Sequence, residues 1–491
     1  MPEPLSTPLV EELIPCPDPW AVARKLAHLS HLLFLDSADR HADRGRYSYV
    51  MADPVCWMPE SLDLATFDEI ASMSNDVQLQ SMPGLPPFQG GTAGLFGYDL
   101  CQVLERIPPA RHDDLASPRM AVGVYDWVIS FDHVQGRAWL VSTGFDGMDV
   151  KEENARKRLE WVKEQVRLDS WLEVILEQER QRMDWVHEQL RLESAYVEKS
   201  SEYTTMSKLV PQCPLRNNRD VTSNFSRDGY IEAVRQAVEY VHAGDIFQVN
   251  ISQRLLAPQT EHPLELYGRL RERNPSPFAC YFDIGQFQIA SASPERFVQV
   301  TPDGKVRTKP IKGTRPRGKT TEADAALIRD LLSNPKDRAE NVMIVDLLRN
   351  DLGRVCEYGS VRVPRVCELE TYPFVHHLVS EVVGQLRPGL SGFDLLAAAF
   401  PGGSVTGAPK VRAMEIIAEL EPTARGPYCG SIGFIGFNRA MDTNILIRTF
   451  TAGRGWLQFP VGGGVVADSD PATEYEETLH KAAGLLRALE P

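Results

Sequence analysis

Nowhere does the 491-residue chain carry a run of roughly 18 apolar residues, so no segment reads as a membrane span. The first residues, Met1-Pro2-Glu3-Pro4, lack the basic and apolar regions of a secretory leader, and a cytoplasmic protein is expected. Basic residues are few: 52 Lys and Arg against 67 Asp and Glu leave a formal charge of −15. A face that displaces counterions from phosphates is therefore not expected, which argues against nucleic acid. The eight cysteines, at 16, 56, 101, 213, 280, 356, 367 and 429, form no C-x-x-C pair and no zinc-finger spacing. Free thiols in a reducing compartment are expected instead. Internal repeats and low-complexity tracts are also missing. What remains is an acidic enzyme-like chain long enough for two to three domains, or for one large core with insertions.

Composition changes along the chain. The first 150 residues mix short apolar stretches with turn residues, as in Pro83-Gly84-Leu85-Pro86-Pro87 and Gly90-Gly91-Thr92-Ala93-Gly94-Leu95-Phe96-Gly97-Tyr98, and read as strands and tight turns. From about 150 to 200 Gly and Pro are absent, and the spacing of Leu168, Leu172, Ile175 and Leu176, then Met183, Val186 and Leu190, predicts a helical insertion. Its apolar stripe packs on its own domain or docks a partner. A polar connector at 211–224 precedes Ser226-Arg227-Asp228, which caps a helix carrying Tyr230, Val234, Val238 and Val241 and ending at Gly244. Next, Phe247-Gln248-Val249-Asn250-Ile251-Ser252 alternates with period two, so Gln248, Asn250 and Ser252 share one strand face, toward solvent or a site.

Several residues carry chemistry. Lys312, in Pro310-Ile311-Lys312-Gly313-Thr314, is a primary amine in a glycine-flanked turn and a candidate nucleophile. Two helix starts are built alike: Asn334-Pro335 and Asp470-Pro471 each supply a cap and a first-turn proline. Each start then places two carboxylates three residues apart on one face, Asp337 with Glu340 and Glu474 with Glu477; Lys481 extends the second face. The acids either complement the helix dipoles or, facing one another, hold a hard divalent cation such as Mg2+. Pro401 to Lys410 resembles a phosphate loop but separates Gly407 from Lys410 by Ala408-Pro409, so it is read as a glycine-rich turn offering N–H groups and hydroxyls. Gly462-Gly463-Gly464 likewise lets a ligand approach the backbone, or simply turns the chain. Glu295, His376, His377 and Arg448 are polar residues in apolar runs. Arg448 requires an anionic partner, either a structural carboxylate or a carboxylate of the substrate, and the histidines are satisfied core residues or catalytic ones.

Taken in order, 244–250, 293–297, 310–314, 339–351, 400–410 and 462–481 resemble the chorismate-binding domain of the chorismate-utilising enzymes. The resemblance covers 226–491; residues 1–225, with Leu35-Asp36-Ser37-Ala38 and 93–98, are similar to the family's N-terminal region more weakly. It implies an α/β fold, a large two-sheet antiparallel sandwich with helices outside, and a cleft that binds chorismate. Carried onto this sequence, it implies Mg2+ held directly by Glu340 and Glu477 with Asp337 and Glu474 in support, and substrate secured by Arg448, Lys481, Tyr428, Ser404 and the backbone of Gly462 and Gly464. Lys312 would attack the ring covalently, with Glu295 as general acid and His377 donating a proton or orienting the ring.

Within the family, Lys in Pro-Ile-Lys-Gly-Thr is similar to aminodeoxychorismate synthases, whereas anthranilate synthases show Ala there. Asp36-Ser37-Ala38 points the same way, since the anthranilate enzymes tend to show Glu-Ser. Asn274-Pro275-Ser276-Pro277-Phe278 instead resembles their tryptophan-site segment. Gln248 stands where isochorismate and salicylate synthases place a water-activating Lys, which argues against those activities. The implied product is 4-amino-4-deoxychorismate, a precursor of p-aminobenzoate and folate. The chain has no Gly-x-Cys-x-Gly turn of a glutaminase, so ammonia is expected from a separate glutamine amidotransferase subunit.

Overall fold

Phe278–Asp283 and Phe287–Ser293 are rich in aromatic and small residues, and the turn between them places Gly285 in the left-handed region. The two segments pair as an antiparallel hairpin that is buried on both faces. Period two explains how: Cys280, Phe282, Phe287 and Ile289 enter one core, while Tyr281, Ala290 and Ala292 enter another. In this computed structural model the hairpin is central in a twelve-stranded sheet, which is joined by a ten-stranded sheet and a three-stranded one. The structure describes residues 7–490 except 42–43, 60–63, 78, 167–208, 216–217 and 373–374.

The two large sheets face each other across a core in which Leu33, Met51, Phe282 and Ile289 of one meet Ala93, Leu95, Ile432 and Phe434 of the other. Each of the Leu, Ile, Met and Phe side chains contributes about 1.5–3 kcal/mol by leaving water. Within the ten-stranded sheet, neighbouring strands depend on glycine at one point, where a Cβ on Gly94 (φ 153°) would lie 2.2 Å from the Ala121 carbonyl oxygen of the paired strand. Helices cover the outside. Pro263–Arg273 and Pro471–Leu489 bury Leu266, Leu270, Ala482 and Leu485 against the twelve-stranded sheet, while Arg227–Ala243, Pro335–Gly353, Gly392–Ala399 and Lys410–Leu420 share a further core. The expected two-sheet antiparallel sandwich with outer helices is thus observed.

A boundary at 225 does not divide the sheets. Leu33–Asp36 pairs with Phe278–Asp283, and Gly91–Phe96 pairs with Ser431–Gly436, so strands from before and after that residue are woven into both large sheets. The helix expected after Ser226 runs Arg227–Ala243, its cap accepting from Gly229 N at 3.0 Å, and it ends at Gly244 with φ 84°. Of the helical insertion, Glu152–Val166 is a helix burying Ala155, Leu159 and Val162; the stripes from Leu168 to Leu190 lie outside the described residues. All eight cysteines are free, and among the described residues no helix is long and apolar enough to cross a membrane.

Candidate active site

A cavity of about 470 Å³ opens where the three-stranded sheet meets the helices starting at Pro335 and Pro471, and all thirteen site residues expected from sequence line it. Lys312 is aimed by a β-bulge. Ile311 pairs with Val379 and Thr314 with His377, so the edge strand holds one residue more than its partner between these points. Gly313, at φ 84°, absorbs the kink, and a Cβ there would sit 3.0 Å from Asp337 Cγ. Lys312 Nζ then donates to the Ser404 carbonyl at 3.4 Å. Burial lowers its pKa, and Lys481 adds to that, against the opposing charges of Glu340 and Glu295. Burial likewise pushes Glu295 above the ordinary carboxyl range, although Lys312 and the 3.0 Å hydrogen bond from Ser404 Oγ oppose the change. Both shifts disfavour the charged form of the group concerned.

Ser404 is held at the end of the turn by Asn250 Nδ2, which donates to its carbonyl at 2.8 Å. Asn250 and Ser252 line the cavity, and Gln248 is fully buried, so the polar strand face turns to a site and not to solvent. Lys410, by contrast, leaves the cavity to pair with Asp351 at 2.7 Å, which confirms that 401–410 is no phosphate loop.

Both acidic helices begin as expected: Asn334 accepts from Asp337 N at 3.0 Å and Asp470 from Thr473 N at 2.9 Å. Their acids are individually engaged. Asp337 meets Arg315 at 3.1 Å, Glu477 meets Lys481 at 2.6 Å, and Glu474 accepts from Ser469 at 2.7 Å. Among the described residues no three His, Cys, Asp or Glu side chains already converge as a metal cluster. The donor chemistry nonetheless suits a hard cation. Burial raises Glu340 and Glu474, and neighbouring carboxylates raise them further, Asp337 and Glu477 acting on the first and Glu477 on the second. For Glu477 burial is outweighed by Lys481, leaving it below the usual range. A cation among these oxygens would relieve the crowding.

His377 faces Thr314 across the strand pair, its Nδ1 2.8 Å from the hydroxyl. Burial, reinforced by Arg44 and Arg448, lowers its pKa to about 4. The ring is therefore neutral near pH 7, where it can orient a substrate through its other nitrogen but cannot act as an imidazolium donor. His376 is buried, with Thr371 and Asp324 each at 2.9 Å, and is a satisfied core residue.

Arg448 has φ 53°, in the left-handed region, and no carboxylate within ion-pair distance among the described residues. Arg448 is an exposed part of the cavity wall, and the protein packed around it lowers its pKa against the pull of Glu295. No structural carboxylate claims the guanidinium among the described residues, so it is free to take a carboxylate of a ligand in the cavity. Lys481 Nζ donates to the Gly462 carbonyl at 2.9 Å, and Gly463 leaves room beneath the acids, since a Cβ there would meet Glu474 Oε2 at 3.0 Å and Glu477 Oε1 at 3.6 Å.

Sequence reading missed three contributors. Lys336, one residue before Asp337, reaches 4.0 Å from Glu340 and lines the cavity; the same i, i+4 spacing was available to find it. Arg315 claims Asp337 from the edge strand. Arg425 and Glu421 form a buried 2.6 Å pair that ties Ser252, the carbonyls of Asn250 and Val405, and the rings of Tyr98 and Tyr428 into one support. That pair lies beyond the helix end, where no periodicity marks it. A second cavity, of about 240 Å³, is lined by Asp36, Ser37, Pro277 and Phe278; Asp36 is committed to Arg271 at 2.8 Å and Tyr267 at 3.0 Å.

Residues 59–487 match the family model for chorismate binding enzyme, and the chain belongs to that family. It is 38% identical over 481 residues to aminodeoxychorismate synthase component 1 of Escherichia coli (strain K12), covering 95% of each chain. It is also 42% identical over 413 residues, 84% of this chain and 80% of the other, to anthranilate synthase component 1 of Thermus thermophilus. The crystal structure of anthranilate synthase component I from Streptococcus pneumoniae TIGR4 superposes with a TM-score of 0.72 at 31% identity, over 89% of this chain and 92% of that one.

Proposed function

We propose that the chain is the chorismate-aminating component of an aminodeoxychorismate synthase, converting chorismate and ammonia to 4-amino-4-deoxychorismate. The observation that carries this reading is Lys312 itself: an amine aimed by a bulge into the cavity, with its charge disfavoured, beside a carboxyl group biased toward its neutral form. Neutral Lys312 Nζ bonds to C2 of the ring as the diene shifts and the C4–O bond breaks, and Glu295 supplies the proton with which the hydroxyl leaves as water. Ammonia then bonds to C4, the diene shifts back and the Nζ–C2 bond breaks, freeing the Lys312 amine. The extra proton on the new amine returns to Glu295, and the enolpyruvyl group is retained.

Arg448 and the amides of Gly462 and Gly464 address the enolpyruvyl carboxylate, since the planar guanidinium fork matches a carboxylate. Tyr428, Ser404 and Lys481 complete the grip, Ser404 also fixing Glu295 and Lys312. His377 orients the ring. Glu340 and Glu477 would hold Mg2+, with Asp337 and Glu474 in support; when bound, the ion supplies a counter-charge for the ring carboxylate.

The alternative is anthranilate synthase, favoured by the 42% identity to the Thermus thermophilus enzyme and by Pro277 and Phe278 lining the second cavity. One assay separates them. With chorismate, Mg2+ and ammonium, the proposed enzyme releases no pyruvate and yields p-aminobenzoate only after a lyase is added, whereas anthranilate synthase gives fluorescent anthranilate and pyruvate directly. Lys312→Ala is expected to abolish amination; full activity in that variant would refute the covalent route.

A further inference from the structure

Lys410 is the charged residue of the glycine-rich turn 401–410, and the chemistry of the cavity leaves it unused. Only 11% of its side chain is exposed, and 4% of that of Asp351, with which it pairs at 2.7 Å. The same ammonium donates to the carbonyl of Ala399. Ala399 ends the helix Gly392–Ala399, whose last carbonyls have no partner within the helix, and Arg354 takes the one before it, on Ala398, at 3.0 Å. Cations suit such a helix end. Because Ala399 and Lys410 flank the turn, one ammonium holds its two ends together. Asp351 lies on the helix Pro335–Gly353 in a row with Glu340, Ile344 and Leu347, at i, i+4, i+7 and i+11 along one face. Midway along that row the turn packs so closely that a Cβ on Gly403 would lie 2.4 Å from Leu347 Cδ2. The face that offers Glu340 to the cavity therefore also seats the turn and anchors it. The middle of the turn is held from another side, since Asn250 N donates to the Thr406 carbonyl at 2.8 Å and Asn250 Nδ2 to that of Ser404, also at 2.8 Å.

We propose that Lys410 and Asp351 are positioning residues, whose buried pair fixes the glycine-rich turn against the helix Pro335–Gly353 and so sets where Ser404 stands relative to Glu340. The inference rests on the amination reading above for the parts played by Lys312 and Glu295. Ser404 is the residue through which the clamp acts: its carbonyl accepts from Lys312 at 3.4 Å and its hydroxyl donates to Glu295 at 3.0 Å. Without the clamp, Asn250 still holds the middle of the turn, but its ends move on the helix. Lys312 and Glu295 then lose the common partner that keeps amine and carboxyl in register with the ring. A misplacement of about 1 Å is enough to slow a reaction about 100-fold. Arg448 and the amides of Gly462 and Gly464 are carried by other segments, so the grip on the substrate persists.

The test compares the full chain with Lys410→Met and with the double variant Lys410→Met/Asp351→Leu, reading chorismate affinity by calorimetry, kcat with ammonium and Mg2+, and the urea midpoint. Breaking a buried pair strands the remaining charge, whereas replacing both members with apolar side chains is far less disruptive. The double variant therefore carries the test where the single one fails to fold. It is expected to keep a urea midpoint close to that of the unsubstituted chain and to bind chorismate within about threefold, while kcat falls about tenfold or more in both variants. That split separates positioning from a purely structural role, in which kcat recovers together with the urea midpoint. A kcat within about twofold of the unsubstituted value in Lys410→Met, or restored in the double variant, would overturn the proposal. So would a loss of chorismate affinity as large as the loss of kcat, which would make the pair a general support of the cavity. If the unsubstituted chain releases anthranilate and pyruvate, the amination reading fails; the clamp fails separately, if the variants then form that product at the unsubstituted rate.

Discussion

His377 offers a direct test of how the cavity sets protonation. Its pKa of about 4, against the ordinary 6.5, arises chiefly from burial, with Arg44 and Arg448 adding positive charge nearby. That gap corresponds to about 3 kcal/mol of preference for the neutral ring in the folded protein. The sign follows from proton uptake: between pH 6.5 and 4 the unfolded chain binds a proton that the folded one refuses. The contribution is complete above pH 6.5 and is lost as the pH falls to about 4. His377→Asn keeps a polar atom opposite Thr314 but cannot titrate. Comparing urea midpoints at pH 7.5 and 4.5, the stability difference should shift toward the variant by about 2–3 kcal/mol at the lower pH. Histidine-selective NMR should show the His377 ring neutral through pH 5. A titration at pH 6 or above, or a pH-independent difference between the two proteins, would refute the burial argument and restore His377 as a proton donor.

Arg448→Met should weaken chorismate binding by calorimetry roughly 10- to 100-fold, about 1.5–3 kcal/mol for hydrogen bonds to a charged group, without lowering the urea midpoint. Unchanged binding would mean that its missing partner is not a substrate carboxylate. Glu421→Gln breaks the buried pair with Arg425 and should cost about 3–5 kcal/mol in chemical denaturation; a loss under 1 kcal/mol would show the pair is not a support. Gly464→Ala places a Cβ 2.8 Å from Gln248 Nε2 and 2.9 Å from Asn250 Oδ1. The overpacking, about 1–3 kcal/mol, should appear as a kcat/KM reduced tenfold or more for the amination reaction, and normal kinetics would show that the three-stranded sheet yields there.

Local chemistry made much of the site legible. Asn334-Pro335 and Asp470-Pro471 announce helix starts because cap and proline act within one turn, and the i, i+3 acids follow from helix geometry alone. The strand Gln248–Gln253 was readable from period two, including the polar face that proves to line the cavity. Long-range pairing was not. Nothing local indicates that Leu33–Asp36 lies beside Phe278–Asp283, because partners some 240 residues apart in an antiparallel sheet are chosen by burial of both faces and by register. The bulge that aims Lys312 escaped for the same reason: Gly313 was visible, but the extra residue exists only relative to the partner strand. His377 shows a third limit. Its neighbours Thr314, Arg44 and Arg448 arrive from three distant segments, so its neutrality could not be foreseen.

The same assembly fixes a charge balance with a consequence for binding. Glu295, Asp337, Glu340, Glu474 and Glu477 line the cavity against Lys312, Arg315, Lys336, Arg448 and Lys481, Arg425 being neutralised by Glu421. Transfer of a proton from Lys312 to Glu295 removes one charge of each sign and leaves the balance intact. Chorismate brings two carboxylates into this nearly neutral, partly desolvated space, and a divalent cation restores what they upset. Substrate and Mg2+ should therefore bind with positive coupling, and linkage requires each to tighten the other by the same factor. For charges within one cavity a coupling of about 1–3 kcal/mol is expected, a five- to 150-fold change in either dissociation constant. Calorimetric titrations of chorismate with and without Mg2+, and of Mg2+ with and without chorismate, measure both legs. In Glu340→Gln, which removes one acid, the coupling should shrink while chorismate alone binds more tightly. Equal affinities with and without the ion would show that the acids serve the helix dipoles and leave the substrate's charge to Arg448 and Lys481.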